Sequence, residues 1–370
     1  MSARIAVIGA GSWGTALAVL LGRTGCAIRL WARRRALGES LRAARENPQY
    51  LPDVAFPDAV TVALDLAEAL ADAEFVLVAV PAKGMRETVR RLRDQVAPGQ
   101  AVVSVAKGLE SDSGLRMSQV IIEELGDSVA RPSAATAAPT RRGLAAGRLA
   151  VLSGPNLAVE VAAGMATATV IASPDADLAR RVQAVFLQPT FRAYTNPDVI
   201  GVELGGALKN VIAIGAGIND GLGFGDNTKA AVVTRGLAEI TRLGVAMGAQ
   251  AATFMGLAGV GDLVATCASR RSRNHRVGFE LAQGKALPDI LAGMKGHEAE
   301  GVPTTRAARM LAHRHGVEMP ITEAIHAVLF EGLSPRDAVA ALMTRRGKDE
   351  LEEAWLRPER ADPPREETIT

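Results

Sequence analysis

The chain has 370 residues, room for roughly two domains of about 150 residues each and for a sizeable buried core. Its 48% hydrophobic and 22% charged residues exclude disorder as the main state. With 42 basic against 40 acidic residues the formal charge is only +2, so no whole-chain pull toward nucleic acid or a membrane surface arises, and anion binding must be local. The only cysteines, Cys26 and Cys267, cannot build a disulfide framework or a four-cysteine zinc site, which makes a reducing, cytoplasmic setting the expectation.

From the N-terminus, the apolar stretch that follows Arg4 and runs to Leu21 has the length of a secretory signal, but Gly9, Gly11 and Gly14 interrupt it and a single basic residue precedes it. It reads instead as a strand, a turn and a helix. The first two hundred residues alternate short β-branched runs with helical patterns, the signature of a parallel sheet with crossover helices. Strands are predicted at 5–8, 27–31, 75–80, 101–105, 150–152 and 169–171, and helices at 15–23, 85–95 and 115–124. Beyond about Pro197 the β-runs stop, and Ala/Leu/Gly/Val stretches with helical spacing continue to about Met343. The apolar run over 199–218 carries Glu203, Lys209 and Asn210 and reads as a buried helix, not a membrane span.

The expected fold is therefore an α/β Rossmann-type parallel sheet over 1–196, followed by an all-helical substrate domain over 197–344. Residues 128–147 and 345–370 lack periodic apolar positions, so a flexible insertion and a disordered tail, both dispensable for activity, are expected there. There is no internal repeat of 20 to 50 residues.

The first motif with chemistry is Gly9-Ala10-Gly11-Ser12-Trp13-Gly14, directly after a predicted strand and opening a helix. Gly9 permits the tight turn, Gly11 lets the backbone approach a pyrophosphate, and Gly14 lets helix and strand pack closely. The diphosphate would sit on the free N–H groups at the helix N-terminus. At the end of the second strand, where NAD enzymes keep an acid for the ribose hydroxyls, the chain reads Leu30-Trp31-Ala32-Arg33-Arg34-Arg35. Guanidiniums suit a 2′-phosphate, so NADP is favoured, with NAD as the alternative.

Lys209 shares a helix face with Gly201, Gly205, Ala213 and Gly217 and has no carboxylate three or four positions away. A lysine on such a stripe projects into space that something else must fill. Desolvation lowers a lysine pKa, which makes Lys209 a candidate proton donor and acceptor; a snorkelling lysine at a domain interface is the plain alternative. Downstream, Gly261-Asp262-Leu263 precedes Ser269-Arg270-Arg271-Ser272-Arg273-Asn274-His275-Arg276, a dense set of phosphate donors. A small phosphate is favoured over nucleic acid because interleaved aromatics are lacking. The five histidines show no zinc spacing, so no metal is expected.

These motifs, with Asn47-Pro48-Gln49-Tyr50-Leu51-Pro52, Lys107-Gly108-Leu109-Glu110, Ser153-Gly154-Pro155, Leu208-Lys209-Asn210 and Glu300-Gly301, occur in an order and spacing that resembles the bacterial NAD(P)-dependent sn-glycerol-3-phosphate dehydrogenases. The resemblance implies a helical domain of the 6-phosphogluconate dehydrogenase type, hydride transfer to dihydroxyacetone phosphate, and a product that feeds glycerophospholipid synthesis. It implies Lys209 as proton donor and acceptor, with Lys107 and Asp262 in the catalytic set. Substrate contacts are implied at Lys107, Gly154, Asn156, Lys209, Asp262, Ser272, Arg273 and Asn274. Cofactor contacts are implied at Ser12, Trp13, Arg33, Arg34, Tyr50, Lys107, Ala158, Arg273 and Glu300, beside the glycines of the turn. A homodimer is a further expectation. The chain departs from the family in its 128–147 insertion, its tail, Asn156 where Ser or Thr is common, and Glu298 in place of an apolar residue. Two rivals are a β-hydroxy acid dehydrogenase of the same two-domain type and a non-catalytic NADP sensor.

Overall fold

A computed structural model describes residues 3–126, 147–294, 296–347 and 349–350. The expected flexible insertion, except Gly147, and the expected tail beyond residue 350 lie outside the described residues. Eight strands form one sheet: β1 (Arg4–Ile8), β2 (Ala27–Trp31), β5 (Val60–Ala63), β6 (Phe75–Val78), β7 (Ala101–Ser104), β8 (Leu149–Ser153), β9 (Thr167–Ala172) and β10 (Phe191–Asn196). Their order is β10-β9-β8-β7-β6-β1-β2-β5; β3 (Glu46–Asn47) and β4 (Leu51–Ala55) pair separately. The helices among these strands are α1 (Ser12–Gly22), α2 (Arg35–Ala44), α3 (Leu66–Leu70), α4 (Ala82–Leu92), α5 (Met117–Leu125), α6 (Ala158–Ala162) and α7 (Ala176–Phe186).

Residues 5–8 are all buried, as are all four of β6 and all four of β7, because a central parallel strand is covered on both faces and so reads as a continuous apolar run. One core, under α1 and α7, fills one face; a second, under α3, α4 and α5, fills the other. The chain runs from β1 to β2 and β5 on one side and returns to β6 on the other. That reversal leaves a crevice outside the carboxyl ends of β1 and β6, where α/β sheets bind ligands.

The six predicted strands are present, but the sheet is not parallel throughout. β8 meets β9 antiparallel, with Val151 opposite Ala172 and Ser153 opposite Val170, and β10 runs parallel to β9. The connection between β8 and β9 contains only the short α6, whose Val161 and Ala162 are buried against the α1 side of the sheet. It never returns along the sheet, as a parallel crossover must, so β9 starts from the edge where β8 ended. Strands β5 and β10 escape the sequence patterns because they are edge strands: β5 has four residues, and in β10 buried Phe191 and Ala193 alternate with exposed Arg192 and Tyr194.

Beyond Asn196 the described residues hold only helices: α8 (Val199–Gly221), α9 (Asp226–Ala246), α10 (Ala251–Phe254), a π-helical turn (Leu257–Gly261), α11 (Asp262–Ala268), α12 (Arg273–Ala282), α13 (Leu287–Ala292), α14 (Gly301–His315), α15 (Pro320–Phe330) and α16 (Pro335–Met343). The long apolar α8 is sheathed by its neighbours, which gather one core around it. Its small-residue stripe is filled by protein backbone. A Cβ on Gly205 would lie 2.5 Å from the Ala258 carbonyl oxygen, and one on Gly217 would lie 2.0 Å from that of His275. The stripe thus lets the π-turn and α12 reach contact distance with α8.

A buried ion pair fastens α8 to the sheet's helices. Glu203 of α8 accepts from Arg116 Nη1 at 2.6 Å, from the Ser118 backbone N–H at 2.7 Å and from Ser118 Oγ at 2.6 Å. It thereby satisfies orphan donors at the start of α5 from another element.

Candidate active site

The glycine turn has the geometry its sequence predicts. Gly9 has φ +119°, and a Cβ there would meet the Ala79 carbonyl oxygen at 2.6 Å. A Cβ on Gly14 would lie 1.9 Å from the Gly9 oxygen, whereas one on Gly11 would meet nothing within 4 Å. The first and third glycines are demanded by protein packing, and the space beside the second is open. The N-terminus of α1 has no side-chain cap, and Trp13 Nε1 is buried without a partner. Uncapped helix N–H groups, open space and an orphaned donor in one place fit a nucleotide diphosphate. Asn47 secures this turn from β3: its Nδ2 donates to the Ala10 carbonyl at 3.0 Å and to Thr15 Oγ1 at 2.8 Å.

Across the crevice, Lys209 is buried on α8 and donates to Asp262 Oδ1 and, at 2.7 Å, to Thr266 Oγ1. Its carboxylate partner comes from α11, not from its own helix. Lys107, in the loop after β7, donates to Asp262 Oδ2 at 2.8 Å and to the Gly154 carbonyl at 2.6 Å. One carboxylate therefore serves two ammonium groups. Burial pushes the Lys209 pKa down to about 8; Asp262 opposes the shift and the nearby Lys107 adds to it. The snorkelling alternative fails, since the ammonium is enclosed. Thr266, unremarked in the sequence, lies four residues after Asp262 and so on the same helix face, a spacing that could have flagged it.

A cleft of about 960 Å³ joins these two halves. Ser12, Trp13, Tyr50 and Ala158 line it from the sheet side, and Lys107, Asn156 and Lys209 from its floor. Ser272, Arg273, Asn274 and Glu300 line the helical side. Ser272 caps α12 by accepting from the His275 N–H at 3.3 Å. Arg273 opens into the cleft, where the surrounding protein lowers its pKa against the attraction of Glu300 and Glu298. Of the other arginines in the cluster, Arg276 pairs with Glu280 at 2.5 Å and Arg271 lies 3.8 Å from Glu160.

Two predicted contacts spend their amides on protein. Asn274 donates to Asn210 Oδ1 at 2.8 Å and accepts from the Gly301 N–H at 2.9 Å. Asn156 donates to the Ala168 carbonyl and accepts from Thr169 Oγ1, both at 3.0 Å. Glu300 accepts from the Ala82 N–H at 3.0 Å, and burial pushes its carboxyl up to about 7. Glu298 pairs with Lys83 of α4.

Arg33 and Arg34 are not in the cleft wall. Both are exposed beyond the end of β2: Arg34 donates to Gln49, a cleft residue, at 2.9 Å, and Arg33 lies 3.8 Å from Glu87. Among the described residues no group of three His, Cys, Asp or Glu side chains could hold a metal ion.

Comparison with known proteins gives two family matches. The model for the NAD-dependent glycerol-3-phosphate dehydrogenase N-terminus matches residues 4–179, and that for the C-terminus matches residues 198–340. The chain is 51% identical over 356 residues to glycerol-3-phosphate dehydrogenase (NAD(P)+) from Pelotomaculum thermopropionicum, covering 96% of this chain and 97% of that one. It is also 51% identical to the enzyme of that name from Koribacter versatilis, covering 95% and 99%. The crystal structure of glycerol-3-phosphate dehydrogenase from Coxiella burnetii matches with a TM-score of 0.84 and 37% identity, over 93% of this chain and 99% of that one. A 2-dehydropantoate 2-reductase from Geobacter metallireducens, 16% identical with a TM-score of 0.56, shares the fold alone.

Proposed function

The chain belongs to the NAD-dependent glycerol-3-phosphate dehydrogenase family, and from that membership we propose how its cleft carries out the reaction. It is an oxidoreductase that reduces dihydroxyacetone phosphate to sn-glycerol 3-phosphate with NAD(P)H. The observation that carries the proposal is the Lys209–Asp262–Lys107 array, enclosed at the floor of a cleft whose other wall is a dinucleotide turn.

The glycine turn and the uncapped start of α1 hold the cofactor diphosphate. When bound, the nicotinamide supplies the hydride to the substrate carbonyl carbon, or accepts it in reverse. Lys209 donates its proton to the oxygen of that carbonyl as negative charge develops there. Lys107 adds positive charge beside the same oxygen, and Asp262 keeps both ammonium groups aimed. At the other end of the substrate, Arg273 and the free N–H groups of the capped α12 grip the phosphate, so the carbonyl is held in place and not merely nearby. Asn274 acts by tying α12 to Asn210 of α8 and to the start of α14.

An assay of NADPH and NADH oxidation with dihydroxyacetone phosphate tests this reading, and absent turnover with both cofactors would overturn it. Arg273→Ala is expected to raise KM for dihydroxyacetone phosphate by about ten- to a hundredfold, from roughly 1.5 to 3 kcal/mol for a hydrogen bond to a charged group. An unchanged KM and kcat would put the phosphate elsewhere.

The preference for NADP rests on Arg33 and Arg34. Replacing both by alanine is expected to raise KM for NADPH by about tenfold or more while NADH changes little, and the difference should shrink with added salt because both side chains are exposed. Equal losses for the two cofactors would refute the NADP assignment and leave the dehydrogenase reading standing.

The division of labour falls near residue 196, with the cofactor on the sheet and the substrate on the helices. A cytoplasmic setting is supported by two free, buried cysteines, Cys26 and Cys267. For the homodimer, edge strand β10, with Tyr194 half exposed, offers a second copy an unpaired edge; sedimentation velocity reads the mass.

A further inference from the structure

The loop after β7 carries Lys107, and it is fastened at three points. Lys107 binds Asp262 and the Gly154 carbonyl. Farther along, Leu109 bridges to Arg116, which is held by Glu203 of α8. Between these, Glu110 faces the sheet side: its carboxylate accepts from Arg86 Nε at 2.7 Å and from Arg86 Nη2 at 2.8 Å, and from Ser113 Oγ at 2.6 Å. Such a two-pronged pair fixes orientation as well as distance.

Arg86 is itself braced. Its Nη1 donates to Glu124 at 2.9 Å, and Glu124, buried on α5, also takes Arg90 and Arg93 of the α4 region. At the start of α4, the Ala82 N–H meets Glu300 of the cleft wall. One helix thus contacts the helical wall of the cleft at its first turn and the Lys107 loop one turn later. The guanidinium holds the Glu110 carboxyl below the usual carboxylate range, so the fork is ionised at working pH.

We propose that Glu110 and Arg86 are positioning residues for the reaction, their fork tying the Lys107 loop to α4 so that the Lys107 ammonium stays beside Asp262 and Lys209. The inference rests on the reading of Lys209 as proton donor. The groups facing Lys209 are Asp262, Thr266 and Cys267 from α11 and Lys107 from the loop. Lys107 is the cation among them, and its charge disfavours a second ammonium at Lys209. If the fork opens and Lys107 withdraws, Lys209 holds its proton more tightly.

The test is the pH dependence of kcat for reduction in the wild type, Glu110→Gln and Arg86→Lys, over about pH 6 to 10. Each variant is expected to lose roughly ten- to a hundredfold in kcat, the scale of a small misplacement of a catalytic group, with KM for NADPH within about twofold. The break in the profile should also move to higher pH. Unchanged kcat, or a lowered kcat with the break unmoved, would make the fork a structural brace and overturn the proposal. Arg86→Lys retains the cation and loses the two-pronged geometry together with the Nη1 bond to Glu124, whose carboxylate keeps Arg90 and Arg93, so it decides the matter should Glu110→Gln fail to fold. A wild-type profile with no break near pH 8 would instead overturn the Lys209 reading, which keeps the two failures distinct.

Discussion

Lys209→Ala is expected to lower kcat by roughly 10² to 10⁴, the usual worth of a positioned general acid, while the cofactor still binds. Asp262 keeps Lys107 as its partner in this variant, so no buried carboxylate is left unpaired and the fold should hold. Binding of NADPH, read by fluorescence, separates loss of chemistry from loss of structure. Near-normal turnover would remove Lys209 from the mechanism.

As the proposed proton donor, the same residue should set a pH dependence of opposite sign in the two directions. In that role reduction would use the ammonium form of Lys209, and burial has brought its pKa down to about 8, so reduction should run at full rate below that pH and fall above it. Oxidation of glycerol 3-phosphate needs the neutral amine and should rise through the same pH. Profiles that move in the same direction for both reactions would assign the break to another group.

The second large effect concerns stability. Glu203→Ala should destabilise the fold by about 3 to 5 kcal/mol, because it leaves the buried Arg116 guanidinium uncompensated and frees the Ser118 donors at the start of α5. Glu203→Gln should cost less, since an amide oxygen still accepts one of these bonds. The urea midpoint reads both variants. A loss of less than about 1 kcal/mol for the alanine variant would mean that water or a neighbour replaces the carboxylate.

Much of the site was legible in the chain because its chemistry depends on residue types at fixed local spacing. The Gly9–Gly11–Gly14 turn follows from what each position must pack against or leave open, and the structure shows two glycines jammed on backbone and one facing empty space. The change from strands to helices near residue 197 was likewise written in the periodicity, since parallel strands buried on both faces and helices with one or more apolar stripes leave different local patterns. That Lys209 is a buried lysine on a small-residue stripe could be read from steps of four along one helix.

What the stripe was for could not. Its space is occupied by the backbone of Ala258 and His275, residues about 50 to 60 positions away, and no local period reports which distant segment will arrive. The partner of Lys209 is Asp262 on another helix, and that carboxylate is shared with Lys107 from the sheet domain. The antiparallel return of β9 depends on where α6 packs, and the edge strands β5 and β10 lack the double burial that makes central strands conspicuous. Local sequence therefore determined the elements, the dinucleotide turn and the candidate acid. Only tertiary packing decided the charges around that acid, because a lysine's pKa is set by burial and by ions brought within a few ångströms from elsewhere in the chain.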